Sequence, residues 1–392
     1  MSNEIYIDFL PGLIRAARVE EDRLEDLLIL RSDAPQIVGN QYVGRVTAID
    51  KGLGAAFVDI GLKQHGFLPL QDIPKTLGGG KLSEGSYLCV EGAREAFDDK
   101  GVRLKAKAHE NLPAKVQALK TIDRLREWIL RQQKEIDCIV VTDAGIAQEI
   151  KKYQTEIKEG YPVVSHLAGR PDLFEYAGIE EQIDQLLGVE VPLPSGGSLL
   201  IEQGRTFTAI DVNKGTMQHN GGPEILHYQL NLEAVEEIGR QLKLRNIAGR
   251  VMIDFPYMKS VDHRKKLQAK FKEILKEDFV GHKLLPLYMT GIQELTRKRA
   301  GLSLLDLLLR PIGIGGLGQE KSPFIIGLGA LRQFWSDSIH QRETKTKIIA
   351  SPRIVQFLGS CAALSYVEEK TGRQISLCES PVWTSDDIVV FE

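Results

Sequence analysis

The tightest constraint on this chain is the stretch from about Val38 to His109, where five short strand-like runs follow one another within about 70 residues. They are QYVGRVTAID, GAAFVDIG, HGFLPLQDI, SYLCVEGAREAF and GVRLKAKAHE, separated by glycine-, lysine- or proline-containing turns. So many short strands in so little chain fit a small closed barrel of the OB type. Alternation along each strand then sorts the faces. Ala56, Val58 and Ile60 share one face, and Phe57 shares the other with Asp59. Leu68 and Leu70 take the apolar face, leaving His65 and Phe67 on the polar one. Arg103, Lys105 and Lys107 form an outward set, with Lys100 in the preceding turn. Aromatic side chains on a face that meets water, beside cations, are how such barrels stack bases and pair phosphates of single strands. The competing explanation is that Phe57 and Phe67 cover another domain.

At 392 residues the chain is long enough for two or three cores. The opening IYIDFLPG and LIRAARVE alternate as paired strands do. After the barrel, PAKVQALKTIDRLREWILRQQ has a helical period that puts Val116, Leu119, Ile122, Leu125, Trp128 and Ile129 on one face. VPLPSGGSLLIEQGRTFTAIDVN reads as a hairpin and a third strand turning at Pro-Ser-Gly-Gly. A helix is expected from about Asn231 as its cap, with Leu232, Val235, Ile238 and Leu242 as its buried stripe. RVMIDF is a buried strand. A helix after Asp262, a strand KLLPLY and a helix opened by Thr290-Gly-Ile-Gln293 at capping-box spacing follow. Strands alternating with helices predict an α/β layer with a largely parallel sheet. The glycine string IGIGGLGQ reads as a joint, and IIASPRIVQFL, ALSYVEEKTG and RQISLCES as a small strand–helix–strand unit.

Asp211 ends the strand TFTAIDVN, and Asp254 ends RVMIDF. A right-handed crossover through the intervening helix makes these strands parallel and places both acids at the carboxyl edge of the sheet. Two carboxylates held together repel unless a cation lies between them, and a hard ion such as magnesium suits oxygen ligands. The plainer alternative is that each aspartate caps the segment after its strand. Asn213 has an amide that could orient a ligand, or it is a turn residue. The loop KGTMQHNGG could close over a phosphate or lie idle on the surface. His263-Arg264-Lys265-Lys266 and Arg297-Lys298-Arg299 could neutralise phosphates, though ordinary helix surfaces look similar.

Composition excludes several classes. No run of about 18 apolar residues is present, so no membrane span is expected, and the start MSNEIYIDFL lacks a secretory layout, which points to the cytoplasm. Cys89, Cys138, Cys361 and Cys378 are scattered, which argues against a disulfide scaffold or a complete zinc site. The net charge of −3 decides nothing, because a basic groove beside an acidic site gives the same total. IGIGGLG lacks the strand–turn–helix context of a dinucleotide loop, which sets aside a nucleotide-dependent enzyme.

Taken together, AAFVDIGLKQHGFLPL, LPSGGSLLIE, TAIDVN, NLEAVEEIGRQLKLRNIAGRVMIDF, ELTRKR and EEKTGRQISL resemble the bacterial ribonuclease E and ribonuclease G family over most of the chain. The resemblance implies a ribonuclease H-like catalytic α/β domain (1–37 and 110–311), an inserted OB-fold RNA-binding barrel (38–109) and a small C-terminal α/β domain (312–392). It implies that Asp211 and Asp254 bind a catalytic magnesium ion (Mg2+) and that Asn213 helps hold the scissile phosphate. It also implies that Phe57 and Phe67 form a base-binding surface with Lys100 nearby. Its activity would be magnesium-dependent cleavage of single-stranded RNA, in RNA processing or decay, leaving a 5′-phosphate and a 3′-hydroxyl.

Two departures stand out. The segment after the barrel is much shorter than in the best-known members and has no arginine–threonine pocket for a 5′-monophosphate, so direct internal entry is expected. The family's CPxCxGxG zinc-link would fall near Pro311, where RPIGIGGLGQEK has no cysteine; a zinc-linked tetramer is not expected, while monomer and homodimer stay open. The rival reading is a non-catalytic RNA-binding or ribosome-associated factor on the same scaffold.

Overall fold

A computed structural model describes residues 2–74, 82–96, 101–109, 111–132, 136–154, 163–164, 170–218, 221–312, 318–340, 346–380 and 389–391. Lys100 and the glycines at 313–317 lie outside the described residues. The chain divides into two compact units. One comprises Met1–Ala34, Trp128–Arg297 and Ser303–Glu392, and the other Pro35–Glu127 with Lys298–Leu302.

In the larger unit, β1 (Asn3–Leu10), β2 (Leu13–Glu20) and β3 (Arg23–Arg31) form an antiparallel meander. The expected alternation holds at the start of β1, where Ile5 and Ile7 are fully buried, but not in β2, where Arg15, Ala16, Ala17 and Arg18 are buried in succession.

The smaller unit holds β4 (Gln41–Asp50), β5 (Ala55–Asp59), β6 (Gly66–Pro69), β7 (Tyr87–Arg94), β8 (Arg103–Lys107) and β9 (Gln117–Lys120). β4 pairs with both β5 and β7, and β6 pairs in parallel with β8, so the five expected strands close on themselves. Ala56, Val58, Leu68, Val90 and Leu104 fill the interior. The sixth strand corrects the sequence. Val116–Lys120 was expected to begin a helix, but β9 adds to the edge of β4 and the helix α1 spans only Arg124–Leu130. Local helical period lost to a strand edge that offered unpaired backbone groups.

The larger unit resumes with β10 (Cys138–Val141), α2 (Ala144–Gln154), β11 (Val163–Val164), α3 (Leu173–Tyr176) and α4 (Ile179–Leu187). β10 joins β1 in parallel and β11 joins β10, giving a sheet in the order β11-β10-β1-β2-β3. A second sheet follows, from β12 (Glu190–Pro192), β13 (Ser198–Gln203), β14 (Thr208–Asn213), the long α5 (Pro223–Leu244), β15 (Gly249–Asp254), α6 (Val261–Lys276), β16 (His282–Leu284) and β17 (Ile292–Arg297). Its order is β12-β13-β14-β15-β17-β16. The expected largely parallel sheet is overturned: β14–β15 is the one parallel pair in it. The helix expected after Thr290 is instead β17, which pairs with β15 along all six residues.

Helix α5 also begins earlier than expected. Gly222, at φ +82°, and Pro223 start it, and Asn231 lies fully buried in its middle. Val235, Ile238 and Leu242 are fully buried against β12–β15 and α6, as the stripe predicts. The opposite side of α5 meets β3, where Arg240 Nε donates to the Leu24 carbonyl at 2.8 Å and Glu237 pairs with Arg23.

After α7 (Leu304–Leu308), the hairpin β18 (Leu309–Ile312) and β19 (Gly318–Lys321) leads to α8 (Pro323–His340). The chain closes with β20 (Lys347–Ala350), α9 (Pro352–Gly359), α10 (Ala362–Thr371), β21 (Ser376–Glu379) and β22 (Val390–Phe391). The expected strand–helix–strand unit thus carries two helices, with β20 and β21 parallel. Among the described residues no helix is long and apolar enough to cross a membrane.

Candidate active site

One face of the second sheet is covered by α5 and α6, and the other is open. Alternation along β14 sends Ile210 and Val212 into the core and leaves Asp211 exposed. β15 does the same with Val251, Ile253 and Asp254. The parallel register then places Asp211 directly beside Asp254, on strands about 4.8 Å apart. The crossover geometry read from the sequence is therefore what brings the two acids together. Asn213 joins them: its Nδ2 donates to Asp211 Oδ2 at 2.9 Å.

Neither aspartate has a cationic partner among the described residues. Two unit charges this close repel by on the order of 1 kcal/mol even in water. The pair is thus suited to a hard divalent cation that takes oxygen ligands and keeps several waters. Among the described residues no group of three or more His, Cys, Asp or Glu side chains is placed to hold a metal.

The backbone on either side of the pair is tied down. Residues after Asp254 are held by side chains from α5 and α6: Asn231 Nδ2 donates to the Pro256 carbonyl at 2.9 Å and His227 Nδ1 to the Tyr257 carbonyl at 2.8 Å. Glu224 accepts from Lys259 N, His263 Nδ1 and Ser260 N, and these bonds hold its carboxyl below the usual carboxylate range. The buried asparagine that the sequence offered as a helix cap serves instead as a tether for this loop. Residues after Asn213 are equally close-fitted, with Thr216 N donating to the Gly196 carbonyl at 3.0 Å. Gly215, at φ +50°, lets the two turns touch, since a Cβ there would lie 2.2 Å from the Gly196 oxygen. His219 and Asn220 of the same loop lie outside the described residues.

Both basic clusters are mostly committed elsewhere. Arg297 is 2% exposed, grips Asp278 through two bonds of 2.6 and 3.1 Å and donates to the Ile247 carbonyl, so it is a core residue. His263 stacks on Tyr228, Arg264 bonds the Met258 carbonyl and Lys266 pairs with Asp262. Lys265 and Lys298 are exposed.

In the barrel unit, Phe57 and Phe67 are register partners, their rings edge to face at 6.2 Å on the outer face. Lys105 and Lys107 are exposed and Arg103 half-exposed on β8, the strand beside β6. Lys100 falls outside the described residues. Two residues missed by sequence reasoning belong to the aspartate site. Gly291, at φ +101°, lets the turn before β17 approach the Phe255 carbonyl beside Asp254. Glu202 lies on the same open face, opposite Ala209.

With this geometry in place, comparison with known proteins identifies the group. The profile of the Ribonuclease E/G family matches residues 100–300, and that of the S1 RNA binding domain matches residues 36–117. The chain belongs to the ribonuclease E/G family. It is 24% identical to Ribonuclease G of Escherichia coli (strain K12) over 486 aligned positions, covering 100% of this chain and 99% of that protein. It is 27% identical to Ribonuclease E of Buchnera aphidicola subsp. Schizaphis graminum over 442 positions, covering 88% of this chain and 45% of that protein. With Ribonuclease E of Escherichia coli (strain K12) the figures are 26%, 88% and 41%. The chain thus spans less than half the length of these two ribonuclease E relatives.

Proposed function

We propose that this protein is a cytoplasmic endoribonuclease that cleaves single-stranded RNA with Asp211 and Asp254 as ligands of a catalytic magnesium ion. The observation that carries the proposal is the side-by-side register of two exposed aspartates, without an ion-pair partner among the described residues, on an open sheet face of a chain that belongs to a ribonuclease family. A bound divalent cation supplies positive charge against the phosphate and acidifies water at the site. The chain's own residues do the rest. Asp211 and Asp254 would fix the place of the charge, and Asn213, whose Nδ2 holds Asp211, has a second amide N–H that would donate to a phosphate oxygen. Water adds to phosphorus as the P–O3′ bond breaks, leaving a 5′-phosphate and a 3′-hydroxyl. Phe57 and Phe67 stack bases, with Lys100 and the β8 cations on the backbone.

We take residues 1–37 and 110–311 as the ribonuclease H-like catalytic domain, whose first sheet, β11-β10-β1-β2-β3, has three antiparallel strands with two more added in parallel beside the first. The aspartates then stand on the neighbouring sheet rather than on that one.

The test is cleavage of a labelled unstructured RNA by wild type, D211N and D254N, with and without magnesium. Loss of at least about a hundredfold in rate is expected for either variant, with RNA binding by the barrel retained. Magnesium should raise the melting temperature of wild type and not of the variants. Full cleavage by the double variant overturns the assignment; tight RNA binding without cation-dependent cutting by wild type would instead establish the non-catalytic factor.

A further inference from the structure

The aspartate pair sits at one end of a shallow trench of about 340 Å³ on the open sheet face, at the lower end of the range of about 300–1,000 Å³ common for small-ligand sites. Register defines its walls. The row through the pair reads Leu200, Asp211, Asp254, Ile292, so an apolar side chain flanks each acid. The next row reads Glu202, Ala209, Met252, Glu294. Leu200, Ala209, Met252 and Ile292 thus make an apolar floor, and a carboxylate stands at each end of the second row.

These two carboxylates differ. Glu294 is paired with Arg250 at 3.3 Å. Glu202 is exposed, and its carboxylate has no hydrogen-bond or ion-pair partner among the described residues. It lies diagonally across an antiparallel pair from Asp211, where side chains stand about 7–8 Å apart. No three acidic side chains among the described residues converge to hold one metal. Glu202 thus stands apart from the pair and does not converge with it on one point. It is an unengaged acceptor at the head of an apolar trench that begins at the acids.

We propose that the trench seats the nucleoside next to the scissile phosphate and that Glu202 reads an exocyclic amino group on its base, an assignment that rests on the endoribonuclease reading above. An ionised carboxylate only accepts hydrogen bonds. It can take a proton donor from cytosine N4 or adenine N6, whereas uracil presents O4, an acceptor, in the same place. An acceptor facing an acceptor makes no hydrogen bond where an amino group makes one to a charged oxygen, which disfavours uracil and hypoxanthine. The occupant is thus an amino-bearing base, and Glu202 is a specificity-determining residue, not a catalytic one.

The experiment uses the full chain and short unstructured RNAs, identical except for cytidine or uridine at each position flanking the cut. Wild type should favour cytidine at one flanking position by about tenfold in kcat/KM. E202A should bring that ratio close to one, and E202Q should shift it toward uridine, because its amide can donate to O4. Equal ratios in wild type at every flanking position overturn the proposal. So does an E202A variant that slows both RNAs alike or changes the magnesium dependence, since Glu202 would then serve the metal. Equilibrium binding of the same RNAs without divalent cation reads base preference apart from cleavage. If D211N and D254N still cut, the endoribonuclease assignment of the pair fails while this binding measurement stands alone.

Discussion

Gly291→Ala isolates what holds Asp254 in place. Gly291 has φ +101°, where an L-residue costs about 1–2 kcal/mol. Its new Cβ would also lie 2.4 Å from the Phe255 carbonyl oxygen, about 1 Å inside ordinary contact. Neither partner can swing away easily. Phe255 N donates to the Gly291 carbonyl at 3.2 Å, Gly291 N to the Tyr288 carbonyl at 3.1 Å, and Phe255 is 2% exposed. Overpacking of this kind adds about 1–3 kcal/mol, so the total should be about 2–5 kcal/mol of stability. Relief by moving the Phe255 peptide drags its neighbour Asp254, and a 1 Å misplacement of a catalytic group costs roughly a hundredfold in rate. Gly372→Ala is the matched control: it has φ +66° but nothing within 4 Å of the added Cβ. It should lose about 1 kcal/mol and no activity. Denaturant midpoints and cleavage rates under saturating magnesium measure both effects. A Gly291→Ala protein as stable as the control and cutting at the wild-type rate would refute the link between this turn and the site.

Asp8 offers a test by pH. It is 1% exposed; burial alone would raise its pKa, but Arg332 at 3.0 Å and Arg15 at 2.9 Å outweigh that and hold it below the ordinary value. A depressed carboxyl stabilises the fold above its unfolded pKa of about 3.9 and loses that contribution as pH falls through the folded value. Asp8→Asn should therefore cost about 3–5 kcal/mol at pH 7, because buried Arg332 loses its carboxylate partner while Arg15 keeps only Glu180 at 2.7 Å, with the gap to wild type narrowing below about pH 4. A gap that stays constant down to pH 2.5 in chemical denaturation speaks against it. In the barrel, Phe57→Ala and Phe67→Ala should each weaken binding of an unstructured RNA by about 1–3 kcal/mol in fluorescence anisotropy. Unchanged affinity in both variants would leave the aromatic pair with a packing role only.

The legible part of this molecule was whatever depends on period and adjacency. Thr208–Asn213 and Gly249–Asp254 alternate cleanly, and a crossover helix lies between them, so the pairing of Asp211 with Asp254 could be read directly. Phe57 and Phe67 share the outward face for the same reason, and the structure adds that they are register partners. The misreadings share a different cause, a local signal overruled by a distant partner. Thr290–Gln293 has capping-box spacing, but β15 offers it six residues of backbone pairing. Gln117–Lys120 has helical period, but β4 has a free edge. Asn231 is a good cap by type, yet Gly222-Pro223 starts the helix a full two turns earlier and Asn231 finds Pro256 instead. Arg297 reads as one of three surface cations because Asp278, its buried partner, gives no local sign of the pairing.

Helix α5 presses its apolar stripe on one sheet while its Glu237 and Arg240 grip a strand of the other. Neither sheet can therefore melt alone, because loosening either strips one side of the same helix. Amide hydrogens at the centres of β1 and β14 should accordingly exchange with similar opening free energies, as a single foldon. A fragment carrying only residues 190–297 would be left with a charged, ungripped helix flank and should not reach the stability of the intact unit. A substitution that loosens β3 at its contacts with Glu237 and Arg240 should accordingly lower the stability of the sheet that carries Asp211 and Asp254.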